Sequence, residues 1–305
     1  MSGYMGFVGV STASSSIMQI FPVWARILGL PTDRLIGHDL PVDATAEQYL
    51  ALVRRIRDDP DHLGALVTTH KIALYRATRS LFDELDEFAS LCGELSSISK
   101  HEGRLIGHAK DPLTAGLAIE EFLPDTHFSA TGAHAIILGA GGAGTALSWY
   151  LSEREDRPES IVVTDTSAER LDHLRTVHER HGTPGGLIDY VIASHPDVTR
   201  AVLTGAPRDS LVVNASGLGK DRPGSPVPDD VAFPEGAYVW EFNYRGTLEF
   251  LHQALAQQDT AGLRVFDGWR YFIHGWSQVI GEVFDVVMTE ELIGELAEAA
   301  EFARR

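Results

Sequence analysis

The sequence predicts an α/β protein of two domains, and three observations carry that reading. Short apolar runs rich in β-branched residues alternate with longer runs whose apolar residues recur at helical spacing. A length of 305 residues suits two cores better than one. The apolar run AHAIIL passes directly into a glycine-rich turn, GAGGAG, which opens a helical run.

The elements follow in order. GFVGV (6–10) reads as a strand, and 17–28 as a helix stopped by Gly29. RLIGHDL is a strand. AEQYLALVRRIRDD is a helix bounded by Pro60, LGALVT a strand, and SLFDELDEFASL a helix. SSISK and GRLIGHA, separated by HEG, make a hairpin. Asp111 then caps a helix running to Phe122. A second unit starts after LPDTHFSATGA. Its strands are AHAIIL, SIVVTD, YVIA and SLVVNAS, with helical runs between them, the rhythm of a parallel sheet covered on both faces. GKDRPGSPVPDD (219–230) reads as a surface loop. From Gly268 to Phe284, Trp269, Phe272, Ile273, Trp276, Val279, Ile280 and Val283 share one helical face, and a last helix spans 290–303.

Composition narrows the function classes. With 43 Asp and Glu against 25 Lys and Arg, the net charge of -18 argues against nucleic acid, whose binders neutralise phosphates with cations. No uncharged apolar run reaches the ~20 residues of a membrane span, and MSGYMGFVGV has no basic start that would mark a signal peptide. The single cysteine, Cys92, excludes an intrachain disulfide and a cysteine-based zinc site, and no metal is expected. Together these features point to the cytoplasm. A homodimer is the commonest arrangement for a soluble chain.

Gly139, Gly141 and Gly144 form GxGxxG in the context that gives the pattern meaning, after a strand and opening a helix. The first glycine permits a tight turn, the second lets the backbone approach a pyrophosphate, and the third allows close helix–strand packing. Gly142 and Ala143 complete the loop, whose free N–H groups face the phosphates. The second unit is therefore expected to be a Rossmann-type, doubly wound, nicotinamide-binding domain. Asp165 ends the next strand at the spacing of a ribose partner. A carboxylate there accepts from both ribose hydroxyls of NAD and repels the 2′-phosphate of NADP. Thr166 and Ser167 supply no offsetting cation, so NAD is expected to be preferred over NADP. A helix N-cap is the alternative role for Asp165.

Several separated motifs together resemble the shikimate dehydrogenase family, over nearly the whole chain. GVSTASSSI offers Ser14 and Ser16 for the family's Ser-x-Ser, which holds a substrate carboxylate. GALVTTHK, ending in Lys71, resembles its Gly-x-Asn-Val-Thr-x-Pro-x-Lys segment. GELSS, with Ser96, matches Gly-Ala-Val-Asn-Thr, and GHAKD, ending in Asp111, matches Gly-x-Asn-Thr-Asp. GAGGAGTA is close to the cofactor loop. NASGLGK, with Asn214 and Ser216, resembles the segment near the nicotinamide, and DGWRYFIHGWSQ stands at the C-terminal substrate-facing helix.

The resemblance implies a substrate domain of residues 1–118 completed by 265–305, an NAD-binding domain of 119–264, and a cleft between them for the substrate. It implies a proton relay made of Lys71 and Asp111, in which the aspartate orients the amine while burial and the oxidised nicotinamide favour the neutral base. From spacing alone, Lys71 reads as a surface lysine and Asp111 as a helix cap. Tyr244, His274 and Gln278 are further substrate candidates, and Arg270 a partner for a carboxylate. His70, beside Lys71, could also touch substrate.

The departures cluster where the family reads its substrate. Its asparagines fall at Ala65, Ser96 and Ala109, its threonine at Val67, its C-terminal glutamine near Gly275, and its tyrosine at Asn243 beside Tyr244. A site that has lost those polar partners binds shikimate poorly. The expected activity is the NAD-dependent interconversion of a ring secondary alcohol and ketone, on a shikimate- or quinate-like cyclic polyol acid. The alternatives are a cyclitol or aminoshikimate-type dehydrogenase, or an inactive nicotinamide-binding sensor of the same fold.

Overall fold

The computed structural model describes residues 3–220 and 222–304. The first two residues of MSGYMGFVGV, Asp221 of the 219–230 loop and Arg305 lie outside the described residues. The chain divides into two compact units, one running through Thr114 and completed by Ile273–Arg304, the other Ala115–Phe272.

In the first unit the chain runs β1 (Tyr4–Gly9), α1 (Ile17–Ile27), β2 (Leu35–Asp39), α2 (Ala46–Asp58), β3 (His62–Val67), α3 (Lys71–Thr78), β4 (Glu84–Leu85), α4 (Glu87–Cys92), β5 (Ser97–His101), β6 (Arg104–His108) and the start of α5 (Asp111–Glu120). The sheet order is β2-β1-β3-β5-β6-β4. β1 pairs in parallel with β2 and β3, and the β5–β6 hairpin continues the sheet antiparallel to β3. Its turn places Glu102 and Gly103 at φ 51 and 78, the left-handed pair that a two-residue hairpin turn uses. Val53, Ile56 and Leu74 from the helices meet Val67, Ile98 and Leu105 from the strands in the core. α2 starts where its capping box fixes it, with Thr45 and Gln48 exchanging side-chain and backbone hydrogen bonds.

Two features of this unit differ from the sequence reading. SLFDELDEFASL is not one helix. Asp83 and Asp86 divert it by accepting from the backbone of β6 and the residue that follows it: Leu105 N donates to Asp83 Oδ2 at 2.8 Å, and Ala109 N to Asp86 Oδ1 at 3.2 Å. The short β4 pairs in parallel with β6, and only α4 remains, capped by Asp86. Asp111 is the first residue of α5 rather than its cap.

The second unit contains α6 (His127–Thr131), β7 (Ala135–Leu138), α7 (Gly142–Glu153), β8 (Ile161–Asp165), α8 (Ala168–His181), β9 (Ile188–Ile192), α9 (Pro196–Thr204), β10 (Leu211–Asn214), β11 (Tyr238–Glu241), α10 (Glu249–Ala261) and β12 (Arg264–Phe266). All six strands are parallel, in the order β12-β11-β10-β7-β8-β9. The order reverses at β7, where a doubly wound sheet places its ligand crevice. Alternate residues of β7 feed two cores: Ala135 and Ile137 pack with Leu147, Val163 and Val213, while Ile136 and Leu138 pack with Val212, Val239 and Phe250.

The chain then enters α11 (Trp269–Phe284) and α12 (Glu290–Ala300). α12 is fastened to α1 by Trp24 Nε1 donating to the carbonyl of Leu296 at 2.7 Å. Among the described residues no helix is long and apolar enough to cross a membrane, and no group of three or more His, Cys, Asp or Glu is arranged to hold a metal ion.

Candidate active site

β3 ends at Val67 and α3 begins at Lys71, a connection too short to move the lysine far from the strand end. The backbone of Lys71 is tied at both groups: its N–H donates to Thr68 O at 3.1 Å, and its carbonyl accepts from Leu95 N at 3.2 Å. Its ammonium donates directly to Asp111 Oδ2. Asp111 is buried, whereas the Lys71 side chain keeps 23% of its surface exposed.

Burial opposes the charged form of Lys71, yet attraction from Asp111 and Glu94, with the Asp111 hydrogen bond, raises its pKa above the usual value. The sequence reading placed the lysine as a neutral base. The Asp111 carboxylate in contact with it favours the ammonium form instead. The reading missed Glu94. It lies inside the quoted GELSS segment, and its signal was an acid where the motif has an apolar residue. Burial first, and then repulsion by Asp111, raises the pKa of Glu94, against the pull of Lys71.

The other candidates of this unit have definite partners. Ser16 Oγ donates to Ala303 O at 3.0 Å and so fastens the C-terminal turn; Ser14 Oγ donates to Ser11 O at 3.1 Å. Ser96 Oγ accepts from Lys110 N at 2.6 Å, which holds the turn entering α5. His274 is buried on α11, and Gln278 is half-buried one turn later. His70 is a structural residue, bonded to the Tyr49 hydroxyl at 2.8 Å and the Leu40 carbonyl at 3.2 Å.

In the second unit the glycine loop has the shape of a phosphate cradle. Gly139 sits at φ 121, and a Cβ there would meet the backbone of Ala215 and Ser216 at 2.6 Å. A Cβ on Gly144 would come within 1.9 Å of Gly139 O. Gly141 has no atom within 4 Å on the side where a Cβ would stand, and α7 begins at the next residue. α7 begins at Gly142, and the first N–H groups of a helix have no acceptor within it, an arrangement that suits an anion. Asn214 and Ser216 shape the neighbouring loop. Asn214 Nδ2 donates to Glu241 Oε2 at 2.7 Å, and its Oδ1 accepts from Ser216 Oγ at 2.6 Å. Glu241 is buried and pushed up to about 7 by that burial, against hydrogen bonds from Asn214 and Asn243. Tyr244 stacks at a tilt on Phe272, centroids 4.4 Å apart, and Arg270 is paired with Glu121.

Asp165 is less available to a ribose than its spacing suggested. Its Oδ2 accepts from Ala140 N and its Oδ1 from Ser167 N, both at 2.9 Å, and Arg170 Nη1 stands 3.7 Å from Oδ2.

No family model matches the chain. It is 34% identical over 163 residues to the shikimate dehydrogenase (NADP(+)) of Streptococcus gordonii, a match spanning about half of both chains, 53% of each. It is 24% identical over 292 residues to the enzyme of the same name from an Exiguobacterium species, covering 95% of this chain and 96% of that one. The chain is similar in sequence to curated shikimate dehydrogenases. In fold it is similar to the quinate dehydrogenase of Corynebacterium glutamicum solved in complex with NAD, with a TM-score of 0.74, 20% identity and 98% of each chain covered.

The similarity corrects the cofactor expectation. Those curated relatives are named as NADP(+) enzymes, against the preference for NAD inferred from Asp165. The physical reason is local. The Asp165 carboxylate is spent on two backbone N–H groups, and the cation that the sequence reading sought at Thr166 and Ser167 stands one turn further on, at Arg170.

Proposed function

We propose that this chain is a nicotinamide-dependent oxidoreductase that interconverts a ring secondary alcohol and its ketone. Its substrate on this reading is a cyclic polyol acid related to shikimate or quinate, with hydroxyl contacts unlike those of shikimate. One observation carries the reading: Lys71 and Asp111, far apart in the chain, meet at the ammonium–carboxylate contact that such a reaction needs.

When bound, the nicotinamide supplies or accepts the hydride. The residues of this chain handle the proton. In the reducing direction Lys71 gives a proton from Nζ to the carbonyl oxygen as that oxygen becomes a hydroxyl, and Asp111 holds the amine in line. In the oxidising direction the same Nζ takes the hydroxyl proton. The loop Gly139–Gly144 would hold the pyrophosphate, and Arg170 would stand near a 2′-phosphate on the ribose. The apolar Ala65 and Ala109, together with Ser96 committed to Lys110 N, support a substrate other than shikimate.

The test is a panel of ring alcohols and ketones, including shikimate, quinate, non-carboxylated cyclitols and amino-substituted rings, assayed with both nicotinamide cofactors by cofactor absorbance. The expected result is turnover of at least one ring, with a higher kcat/KM than for shikimate. Nucleotide binding without turnover of any member would make the chain a sensor. Shikimate as the best substrate, with an ordinary KM, would remove the substrate reading.

A further inference from the structure

α4 returns to β5 through Gly93-Glu94-Leu95-Ser96, and this loop is tied to both elements that carry the catalytic pair. Leu95 N donates to the carbonyl of Lys71 at 3.2 Å, and Ser96 Oγ accepts from the N–H of Lys110, the neighbour of Asp111, at 2.6 Å. Glu94, immediately before those two anchors, is 1% exposed, and its Oε1 is shielded from solvent without a hydrogen-bond partner among the described residues.

The groups whose charges act on Glu94 come from three sides. They are Lys71 at the start of α3, Asp111 at the start of α5, and Asp86 at the cap of α4; the thiol of Cys92 on α4 is in turn influenced by Glu94. Lys71 and Asp111 already neutralise one another. An ionised Glu94 would add a second buried negative charge with no donor on Oε1, which is strongly unfavourable, and a carboxyl so placed keeps its proton instead. The charges that act most on that carboxyl are those of the pair that handles the proton in the proposed reaction.

We propose that Glu94 is a positioning residue of the Lys71–Asp111 site, a buried acid that keeps the charge of the pair in balance. The inference rests on the proton role assigned to Lys71. With Glu94 neutral, Lys71 is held by a single carboxylate and can release its proton to the substrate oxygen. The N–H bond breaks as the O–H bond forms, and the amine recovers a proton from solvent. At higher pH Glu94 loses its own proton to solvent. The second carboxylate then holds Lys71 in its ammonium form, so the lysine has a proton to give over a wider alkaline range.

Glu94→Gln keeps the shape and removes the acid. In the reducing direction, the alkaline limb of its kcat profile is expected to move down by about one pH unit, the smaller end of the effect of a nearby opposite charge. Glu94→Asp should return the limb towards that of the parent protein. Superimposable alkaline limbs for the parent and Glu94→Gln would overturn the proposal. A second measurement needs no turnover. An infrared difference spectrum, parent minus Glu94→Gln, should show a protonated carboxyl band at neutral pH that gives way to a carboxylate band as pH rises. A carboxylate band at neutral pH would overturn the proposal even in an active enzyme. Conversely, the protonated band in a protein that turns over no ring would fail the proposed function while leaving the buried acid standing. Should Glu94→Gln not fold, Glu94→Met, uncharged and of similar length, serves both measurements.

Discussion

Lys71 and Asp111 are 40 positions apart in the chain and in contact in the fold. Asp111→Asn keeps the size of the side chain but removes the charge that orients the ammonium, so kcat should fall. If the two residues act as one unit, the Lys71→Ala/Asp111→Asn double variant should lose much less than the product of the single losses; multiplicative losses would mean independent roles. Arg170 makes a second prediction. Its guanidinium is the cation beside Asp165, so Arg170→Ala should raise KM for NADP several-fold while leaving KM for NAD nearly unchanged. Equal effects on both would detach it from the 2′-phosphate. Lys71 and Asp111 were legible because a motif brackets each of them. Glu94 and Arg170 were not, because their meaning lies in neighbours that only the fold supplies: a lysine on another helix, and an aspartate whose oxygens face inward.

The glycine loop was legible as an element because its spacing encodes backbone geometry. Strand, tight turn and helix follow from the positions of Gly139, Gly141 and Gly144, and each space predicted for them is present. Gly144→Ala would drive a methyl into Gly139 O, an overpacking that costs about 1–3 kcal/mol or displaces the loop. The expected outcome is a lower urea midpoint, together with weaker nucleotide binding by fluorescence titration; an unchanged midpoint and affinity would show that the loop yields freely. Gly141→Ala, where nothing stands within 4 Å, should leave stability nearly unchanged and weaken nucleotide binding alone. The stretch 80–91 was misread for the opposite reason. Its apolar spacing is helical, but Asp83 and Asp86 are short acceptors that satisfy backbone N–H groups on and just after β6, and that long-range pairing outweighs local periodicity. α3 escaped the reading because eight residues carry too few turns to show a period.

Across the whole molecule, buried histidines set the response to acid. Burial, then the neighbouring His38, lowers His62 to about 3, and burial, then His181, lowers His178 to about 4. Both are neutral in the fold but protonated in the unfolded chain below ~6.5. The fold therefore binds fewer protons, and stability falls as pH drops from about 6.5, by about 1.4 kcal/mol per unit for each histidine. The raised carboxyls, Glu241 at about 7 and Glu94, have the opposite sign, binding protons in the fold above the ~4.3 of a free glutamate. Between about pH 4.5 and 7 they offset only part of the histidine effect, because burial also lowers His38, His70, His108 and His127. Urea unfolding should thus show stability falling as pH drops below about 6.5, and falling more steeply below about 4.5 once the carboxyls no longer offset it. A loss completed by pH 6 would contradict this balance. The alternation of strands and helices fixed most of both sheets, while β4, β11 and β12 went unread because two to four residues carry too little of a period. The net charge of -18 indicated none of these groups, because a buried histidine or acid is defined by what packs on it.

The central claim is that Lys71 moves the proton while the glycine loop holds the nucleotide, and the most direct test separates those two roles in one variant. Nucleotide affinity and steady-state turnover of the best ring substrate should be measured for the parent protein and for Lys71→Ala. The expected result is a nearly unchanged nucleotide Kd with kcat lower by ~10²–10⁴-fold, the usual contribution of a general acid–base group. A Lys71→Ala protein that keeps near-normal kcat and the parent pH profile would contradict the account.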